Sequence, residues 1–293
     1  MANINICFPS DPMSPRKVDP EYFLDAQAFS KLGAGILVWP MDEPSARVKP
    51  AQGFDSLDND TAPVAWRGWM LDSHEYEAWT AALGARAPRF TLAQYEMHHR
   101  MRNWVPAVAA FTPTTWFIES AHDADVTMFP CHVKDGVKSA NATHLPRPCM
   151  SVLDIGLHET ELKRQRGKLD DGLVLREHLD AWENETRVWV MGADAHDFYF
   201  YDTGQHTYDL SASWLKKALV NAPPDFFDAP FTMDIAQTKK GVLFVMDMGD
   251  AGVSDYKEAH QDPEFLDSLR NGWYQALCKR SMQYDASNES PSP

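Results

Sequence analysis

The apolar and polar positions at the start of the chain predict a strand, a helix and a second strand. Residues 4–8 alternate between apolar and polar or small side chains, which indicates a short strand that ends in the proline-rich loop 9–12. Asp19 is suited to cap a helix that Gly33 ends, and the apolar run 36–39 is a second strand. This order predicts a βαβ unit and a small parallel sheet.

The front part of the chain continues as a mixed α/β unit up to a proline. The pattern indicates a long loop, a short strand and two helices, at residues 41–63, 64–66, 72–84 and 92–108. Thr112-Pro113 breaks the last of these helices, because proline lacks the backbone donor that a helix needs. We therefore place a domain boundary here, after a first domain of residues 1–111.

Strands dominate the second part of the chain. The alternation of apolar residues indicates strands at residues 116–119, 127–134, 174–179, 186–191, 197–201, 231–236 and 242–248. Helices are indicated at 152–166 and 213–221, and a last amphipathic helix at 262–278. This order predicts an α+β region with mostly antiparallel strands. The polar tail 281–293 is expected to be disordered.

Composition and charge weaken several function classes. The 293 residues are 44% hydrophobic and 24% charged, and no apolar run approaches the ~20 residues that cross a bilayer. The 27 Lys+Arg against 42 Asp+Glu give a net charge of −15, which opposes binding to a nucleic-acid backbone. The four cysteines are scattered and no signal-peptide pattern is present, so we expect a cytoplasmic protein with no nucleic-acid or membrane partner.

Two aspartates face each other across a predicted hairpin near the C-terminal end. Centring the loop on the Lys239–Gly241 turn pairs Asp234 with Asp247. By period-2 alternation, the face that carries both aspartates also includes Thr232, Ala236, Leu243 and Val245. Facing carboxylates repel unless one is protonated or a cation lies between them, and such oxygens suit Mg²⁺ that bridges to phosphates. The alternatives are a pair of solvated strand ends and a strand register that differs by one residue.

Two further stretches carry charged side chains at predicted strands. Lys134 ends a strand and precedes a loop with Gly136 and Lys138, which suits the phosphates of a nucleotide but also fits an ordinary hairpin turn. Glu185 and Arg187 are two residues apart on a strand and so share a face. There they can contact a ribose hydroxyl and a phosphate or acyl oxygen, or form an ordinary cross-strand ion pair.

The order of these stretches resembles that of ATP-grasp proteins. The matching stretches are Thr112-Pro113, KDGVKS from Lys134, REHL from Arg176, ETR from Glu185, Asp234 and DMGD from Asp247. In the front half, FPSDP from Phe8 and WRGWML from Trp66 are similar to the RimK-related R-two-K clade of phage and bacterial ATP-grasp domain proteins. The resemblance spans residues 4–255.

The resemblance implies a fold, an activity and cofactors. An N-terminal pre-ATP-grasp α/β lobe (1–111) would precede two lobes with antiparallel sheets (112–180 and 181–280) that clamp Mg·ATP. Such proteins phosphorylate a carboxylate to an acyl phosphate, which an amine attacks to form an amide or peptide bond, and ADP and phosphate are released. The implied cofactors are ATP and Mg²⁺. The implied partners are a carboxylate-bearing small molecule or peptide and an amine acceptor.

Site residues follow from the resemblance by position. The ATP contacts it implies are the phosphate contacts Lys134 and Lys138, the covering-loop residue Ser139, the adenine neighbours Glu177 and Leu179, and the ribose contact Glu185. Arg187, beside the transferring phosphoryl group, and Lys138 are the implied catalytic residues. Asp234 and Asp247 would hold magnesium, and Arg67 would grip the substrate carboxylate.

The last strand departs from the family pattern. The family usually ends it with Glu-x-Asn, whereas Asp247 replaces the Glu and Gly249 occupies the Asn position. Glycine offers no side-chain oxygen, so the adjacent Asp250 is the predicted substitute ligand. Two alternatives therefore stay open. One is a degenerate ATP-grasp protein that binds nucleotide and acts by interaction, and the other is a phosphotransferase on the same fold.

Overall fold

The computed structural model describes residues 4–54, 62–84, 89–137, 144–169, 171–179, 185–192, 198–202, 210–254 and 259–288. Its strands are β1 (Asn5–Asp11), β2 (Ser14–Val18), β3 (Gly35–Trp39), β4 (Lys49–Pro50), β5 (Val64–Trp66), β6 (Thr115–Ile118), β7 (Cys131–Lys134), β8 (Leu173–Glu177), β9 (Thr186–Gly192), β10 (Phe198–Asp202), β11 (Phe231–Gln237) and β12 (Leu243–Asp250). Its α-helices are α1 (Phe23–Lys31), α2 (Ser73–Leu83), α3 (Leu92–His99), α4 (Met101–Trp104), α5 (Val152–Arg166), α6 (Ala212–Ala218) and α7 (Pro263–Asn288). This mixture of helices with parallel and antiparallel sheets confirms the predicted fold class.

A five-stranded sheet forms the front lobe, with β3 and β5 parallel to β1 on either side. The parallel β1 and β3, joined through α1, confirm the predicted βαβ unit. The expected loop at 9–12 is wrong, because β1 continues and turns back into β2. Helix α1 begins after Tyr22 instead of at Asp19, since the Asp19 carboxylate accepts from the Glu21 amide at 2.9 Å and forms a local turn.

The long helix expected over 92–108 is interrupted at Arg100. Helix α3 ends at His99, Arg100 is extended, and α4 and a 3₁₀ segment follow. The break has a visible cause: the Met101 amide donates to the Gly136 carbonyl at 2.8 Å, in the next lobe. The Arg100 guanidinium also bonds Asp171 at 2.7 Å. The helix is interrupted because the backbone and side chain make these contacts with the next lobe.

The middle lobe is a three-stranded antiparallel sheet in the order β6-β8-β7, covered by α5. Ser151 caps α5 through the Asp154 amide, as is typical of a helix start. Its buried residues Ile155 and Leu162 pack with Leu173 and Leu175 of β8. The expected strand 127–134 is shorter than predicted, because 126–128 form a 3₁₀ turn whose Thr127 amide donates to Asp125.

A four-stranded antiparallel sheet, β10-β9-β11-β12, forms the last lobe. Trp189 of β9 packs in one core with Phe29 of α1 and with Leu266 and Trp273 of α7, so the front and last lobes share buried surface. Helix α7 continues to Asn288, into the segment expected to be disordered. Within the described residues, none of the helices combines the length and the apolar composition that a membrane span requires.

Candidate functional site

The site lies where one face of the three-stranded sheet meets the last lobe. Along β7, Cys131 and Val133 pack in the core beneath α5, so alternation turns His132 and Lys134 to the opposite face. On that face the Lys134 ammonium contacts the Asp247 carboxylate of β12 at 3.0 Å. Both side chains are partly exposed, at 20% and 29%. The contact joins the two lobes across a cleft that solvent reaches.

The β11–β12 hairpin pairs its two aspartates. Asp234 lies directly opposite Asp247, as the sequence predicted. A β-bulge at Met246 then shifts the register, so that Val245 pairs with Ile235 instead of Ala236. The expectation that Val245 and Leu243 share the aspartate face is therefore wrong, because the bulge adds a residue to one strand. The predicted face is therefore retained only next to the two aspartates.

Arg187 on the neighbouring strand completes this charged cluster. Residues Arg187 and Asp234 are register partners on β9 and β11, and the guanidinium Nε and Nη2 each donate to one carboxylate oxygen at 2.7 Å. This is the cross-strand ion pair that the sequence left open, in bidentate geometry. The Arg187 side chain is 34% exposed, so it faces the cleft and not the core.

Glu185, just before β9, adds a third carboxylate. Partial loss of water around it raises its pKa, and Asp234 and Asp247 raise it further by repulsion. Lys134 and Arg176 oppose that shift by attraction. The electrostatic coupling places Glu185 in the same cluster as the aspartates and Lys134. Its ribose contact stays a prediction.

Arg176 of β8, for which the sequence pattern predicted no role, supports this cluster. Its guanidinium is buried and donates to the Met246 and Val245 carbonyls at the bulge and, at 2.6 Å, to the Thr112 hydroxyl. Burial lowers its pKa to about 10, while Asp247 and Glu185 attract the charge and act to raise it. An arginine within the apolar run LVLRE was the sequence signal for a buried, paired cation.

Four of the predicted nucleotide contacts lie at the end of β8 or outside the described residues. Glu177 ends β8, and its carboxylate accepts from the Thr114 hydroxyl at 2.7 Å. Leu179, two residues later, is half-buried. Lys138 and Ser139 lie outside the described residues. The roles of all four stay predictions.

Arg67 lies apart from the cluster. It is 4% exposed, and its Nε and Nη2 donate to the Asp25 carboxylate at 3.2 and 2.9 Å. Its Nη1 donates to the carbonyls of Ser254 at 2.7 Å and Gly252 at 3.4 Å. The guanidinium therefore joins the front lobe to the segment after β12, and its predicted contact with a substrate carboxylate gains no support from this position.

Asp250 is also separated from the other predicted metal ligands. Alternation along β12 places it on the face opposite Asp247 and Gly249. Its buried carboxylate accepts from the Gly252 amide at 2.7 Å. Burial raises its pKa to about 7, although the Gly252 hydrogen bond and Arg67 oppose the shift. The structure thus brings Asp234 and Asp247 together but not Asp250.

The two facing aspartates fit magnesium in their chemistry. Magnesium is usually bound through one or two carboxylates, with substrate phosphates and water supplying the other oxygens. Among the described residues, no group of three or more metal-ligating side chains is present. A Cβ atom at Gly249 would lie 3.4 Å from the hydroxyls of Thr232 and Ser254, so these oxygens occupy the space beside the glycine. The protein therefore offers two carboxylate ligands here.

A separate cavity of about 580 Å³ lies between the front and middle lobes. Its walls include Ser73, Glu96 and Arg100 on one side and Asp135 and Asp171 on the other. Much of this charge is paired within the wall, since Arg100 contacts both Glu96 and Asp171. The cavity does not include the Lys134–Asp247 contact and is distinct from the cleft.

Solved structures with a similar architecture include a RimK domain ATP-grasp protein, a ligase and a synthetase. The D-alanine–D-alanine ligase from Coxiella burnetii aligns at a TM-score of 0.60 with 12% identity, over 98% of this chain and 99% of that one. A RimK domain ATP-grasp protein from Sphaerobacter thermophilus aligns at 0.56 with 12% identity, over 92% and 98%. N5-carboxyaminoimidazole synthetase from Staphylococcus aureus, complexed with ADP, aligns at 0.58 with 12% identity, over 94% and 77%. These likenesses establish an ATP-grasp fold.

The sequence itself identifies the family. A model of the ATP-grasp domain, R-two-K clade family 3, matches residues 96–269, which is more than half of the chain. The protein therefore belongs to the R-two-K clade of ATP-grasp proteins, as the order of motifs indicated. Among proteins with curated descriptions, no sequence matches the chain significantly.

Proposed function

We propose that this protein is an ATP-dependent carboxylate–amine ligase that forms an amide or peptide bond and releases ADP and phosphate. The observation that carries the proposal is the meeting of Lys134 and Arg187 with Asp234 and Asp247 in one cleft between two sheets. Membership of the ATP-grasp family supports it. Similarity in fold to a D-alanine–D-alanine ligase and to an N5-carboxyaminoimidazole synthetase supports it further.

The reaction has two steps. A carboxylate oxygen of the acid attacks the γ-phosphorus of ATP, and the bond from that phosphorus to the ADP oxygen breaks, which gives an acyl phosphate and ADP. The amine then attacks the acyl carbon, phosphate leaves, and the nitrogen loses a proton. Because the first step brings an anion to an anion, the site must concentrate positive charge.

Lys134 and Arg187 supply that charge on this chain. Lys134, with Lys138 and Ser139 of the following loop, would contact the phosphates, and Arg187 with Lys138 would stabilise the transferring phosphoryl group. Each of the two cleft cations is partly exposed and paired with an aspartate. A partly exposed pair such as Lys134–Asp247 is worth only about 0–1 kcal/mol, so Lys134 can exchange the carboxylate for a phosphate at little cost. The bidentate Arg187–Asp234 pair is stronger, but a phosphate offers the guanidinium the same bidentate geometry.

Asp234 and Asp247 would hold magnesium once the two cations turn to the nucleotide. The metal, when bound, neutralises phosphate charge in the transition state. Glu177 and the Leu179 backbone would contact the adenine, and Glu185 the ribose. We assign neither Arg67 nor Asp250 to this chemistry. Arg67 is buried in contacts between lobes, and the buried Asp250 carboxylate accepts from the Gly252 amide on the face of β12 opposite Asp247.

A second candidate is a protein that binds nucleotide without turnover. Gly249 favours it, because the site lacks the side-chain oxygen that the family usually places there. The hydroxyls of Thr232 and Ser254, 2.7 Å apart, occupy the space beside this glycine instead. A metal ion held by two aspartates alone would then support nucleotide binding but not phosphoryl transfer.

The test is nucleotide analysis after incubation with Mg·ATP and a pooled extract of amino acids and peptides, with hydroxylamine added as a trapping amine. Arg187→Met and Asp247→Asn test the site, and Asp42→Asn, an exposed aspartate outside it, is the matched control. We expect extract-dependent ADP and hydroxamate from the wild type and from the control but not from the two site variants. Release of AMP, or ADP formation equal in all four proteins, would refute the proposal.

Two other outcomes separate the alternatives. ADP formation without hydroxamate, and with a new phosphate ester in the extract, would identify a phosphotransferase. Nucleotide binding without ADP formation would identify the binding protein and make the missing oxygen at Gly249 the reason.

A further inference from the structure

A pair of histidines ties β7 to the segment that follows β8. His132 Nε2 and His178 Nδ1 are 2.8 Å apart, a hydrogen-bond distance between the two rings. The ring centroids are 5.0 Å apart and the planes are tilted by 58°. The backbone adds a second tie, since the His178 amide donates to the Pro130 carbonyl at 3.0 Å. The segment after β8 is therefore held by both main chain and side chain.

The histidine pair faces the cleft. His132 lies on the same face of β7 as Lys134, which contacts Asp247. His132 is the register partner of Arg176, which reaches the bulge of β12. The opposite face of the same sheet is buried under α5. The pair thus lies along the cleft and links the strand that carries Lys134 to the segment 177–179.

The hydrogen bond needs one ring nitrogen with a proton and one with a lone pair. Burial, together with the charges of its neighbours, lowers the pKa of His132 to about 4. These neighbours are His178 in the tied segment, Arg147 before α5, Lys134 on its own strand and Arg176 on the adjacent strand. His132 therefore stays neutral above about pH 5, and the bond persists across the physiological range.

We propose that His132 is a positioning residue for nucleotide binding: through its hydrogen bond to His178 it fixes the segment in which Glu177 and Leu179 would contact the adenine. His178 lies between these two residues, so a ring held at 2.8 Å restricts the backbone on both sides of it. The inference rests on the proposed function, because it presumes that ATP binds in this cleft. It adds a residue that orders the base contact without touching the phosphates.

The test compares variants that keep or lose the bond. His132→Gln places an amide near the position of Nε2, whereas His132→Phe keeps the ring volume and removes the donor and acceptor. At the second histidine of the pair, His178→Asn keeps a polar group near the position of Nδ1, whereas His178→Leu removes it. Affinities are measured by calorimetry at pH 7.5 for Mg·ADP and for magnesium tripolyphosphate, which has no base. Circular dichroism and the melting temperature check the fold of each variant.

We expect His132→Phe and His178→Leu to weaken Mg·ADP binding by about three- to tenfold, the value of one hydrogen bond. His132→Gln and His178→Asn should stay within about twofold of the wild type, and tripolyphosphate affinity should be unchanged throughout. Three results would overturn the inference. They are equal losses of Mg·ADP affinity in the variants that keep and that lose the hydrogen bond, no loss of affinity in either kind, and equal losses of affinity for Mg·ADP and for tripolyphosphate. A wild type that binds no Mg·ADP would refute the proposed function and this inference with it, whereas the other outcomes leave the proposed function intact.

Discussion

Two arginine–aspartate pairs join neighbouring elements of this protein in opposite surroundings. Between Arg67 and Asp25 the side chains are only 5% and 12% exposed, at 2.9 Å. Between Arg187 and Asp234 they are 34% and 16% exposed, at 2.7 Å. The distances are nearly the same, so the difference lies in what else surrounds each arginine.

Arg67 is surrounded by acceptors that cannot be exchanged. Besides Asp25 it binds the carbonyls of Gly252 and Ser254, which belong to the chain that leaves the site strand. Arg187 instead lies at an open cleft next to the Lys134–Asp247 contact. A buried pair is costly to break because an unpaired charge remains, whereas a half-exposed pair can exchange its partner for a ligand. The first arginine therefore holds lobes together, and the second is available for chemistry.

Replacing Arg67 should give the largest loss of stability. In Arg67→Met the Asp25 carboxylate loses its cation and the Ser254 carbonyl its side-chain donor, while the Gly252 carbonyl keeps the Gly68 amide. We therefore expect the free energy of unfolding to fall by about 3–5 kcal/mol. Urea denaturation of the purified protein measures this directly. The double variant Arg67→Met with Asp25→Asn should recover part of the loss, because it leaves no buried charge alone. A stable Arg67→Met protein with weakened acid binding would instead restore Arg67 to the substrate site.

The dependence of stability on pH should also distinguish the buried region around Arg67 from the open cleft, through the buried carboxyl group of Asp250. The folded carboxyl has a pKa of about 7, raised from 3.8 by burial. Between these values the folded state keeps a proton that the unfolded state has released, so stability is greatest at low pH and falls as pH rises through 7. We expect this group alone to add about 2.5 kcal/mol to the unfolding free energy on going from pH 8 to pH 5.

Asp250→Asn isolates this contribution from the other charges of the protein. The amide keeps an acceptor for the Gly252 amide but cannot titrate, so the difference in unfolding free energy between variant and wild type should change across that pH range. Parallel curves for the two proteins would show that Asp250 is not the titrating group.

Local patterns predicted most elements of the fold because their causes are local. The Asp72 cap of α2 and the bounds of α5 follow from neighbouring residues. The break at Arg100 does not, because it depends on the bond from Met101 to Gly136 in another lobe. Helix α7 was expected to end early because its last turns are polar.

The candidate site was predicted in part for the same reason. That Asp234 faces Asp247 follows from centring one hairpin, which is a local inference. The bulge at Met246 could not be predicted in this way, because it contacts Arg176 from another lobe. Arg67 was expected in the site from its position in the resemblance, and Asp250 because it is adjacent to Gly249 at the family's Asn position. Only the tertiary structure shows that both are buried, Arg67 in contacts between lobes and Asp250 on the face of β12 opposite Asp247.

The smallest effect on stability should come from the cleft pairs, where function should suffer most. In Asp247→Asn, Lys134 loses a partner that is partly exposed, so we expect the unfolding free energy to change by less than about 1 kcal/mol. Mg·ADP affinity should nevertheless fall at least tenfold, and EDTA should weaken binding in the wild type but not in the variant, because the carboxylate acts through the metal. Calorimetry with and without EDTA, beside urea denaturation, separates the two quantities, and Asp42→Asn should match the wild type in both. If Asp247→Asn destabilised the protein as strongly as Arg67→Met, the cleft pair would be a structural contact like the buried one, and the difference between the two arginines would not mark a site.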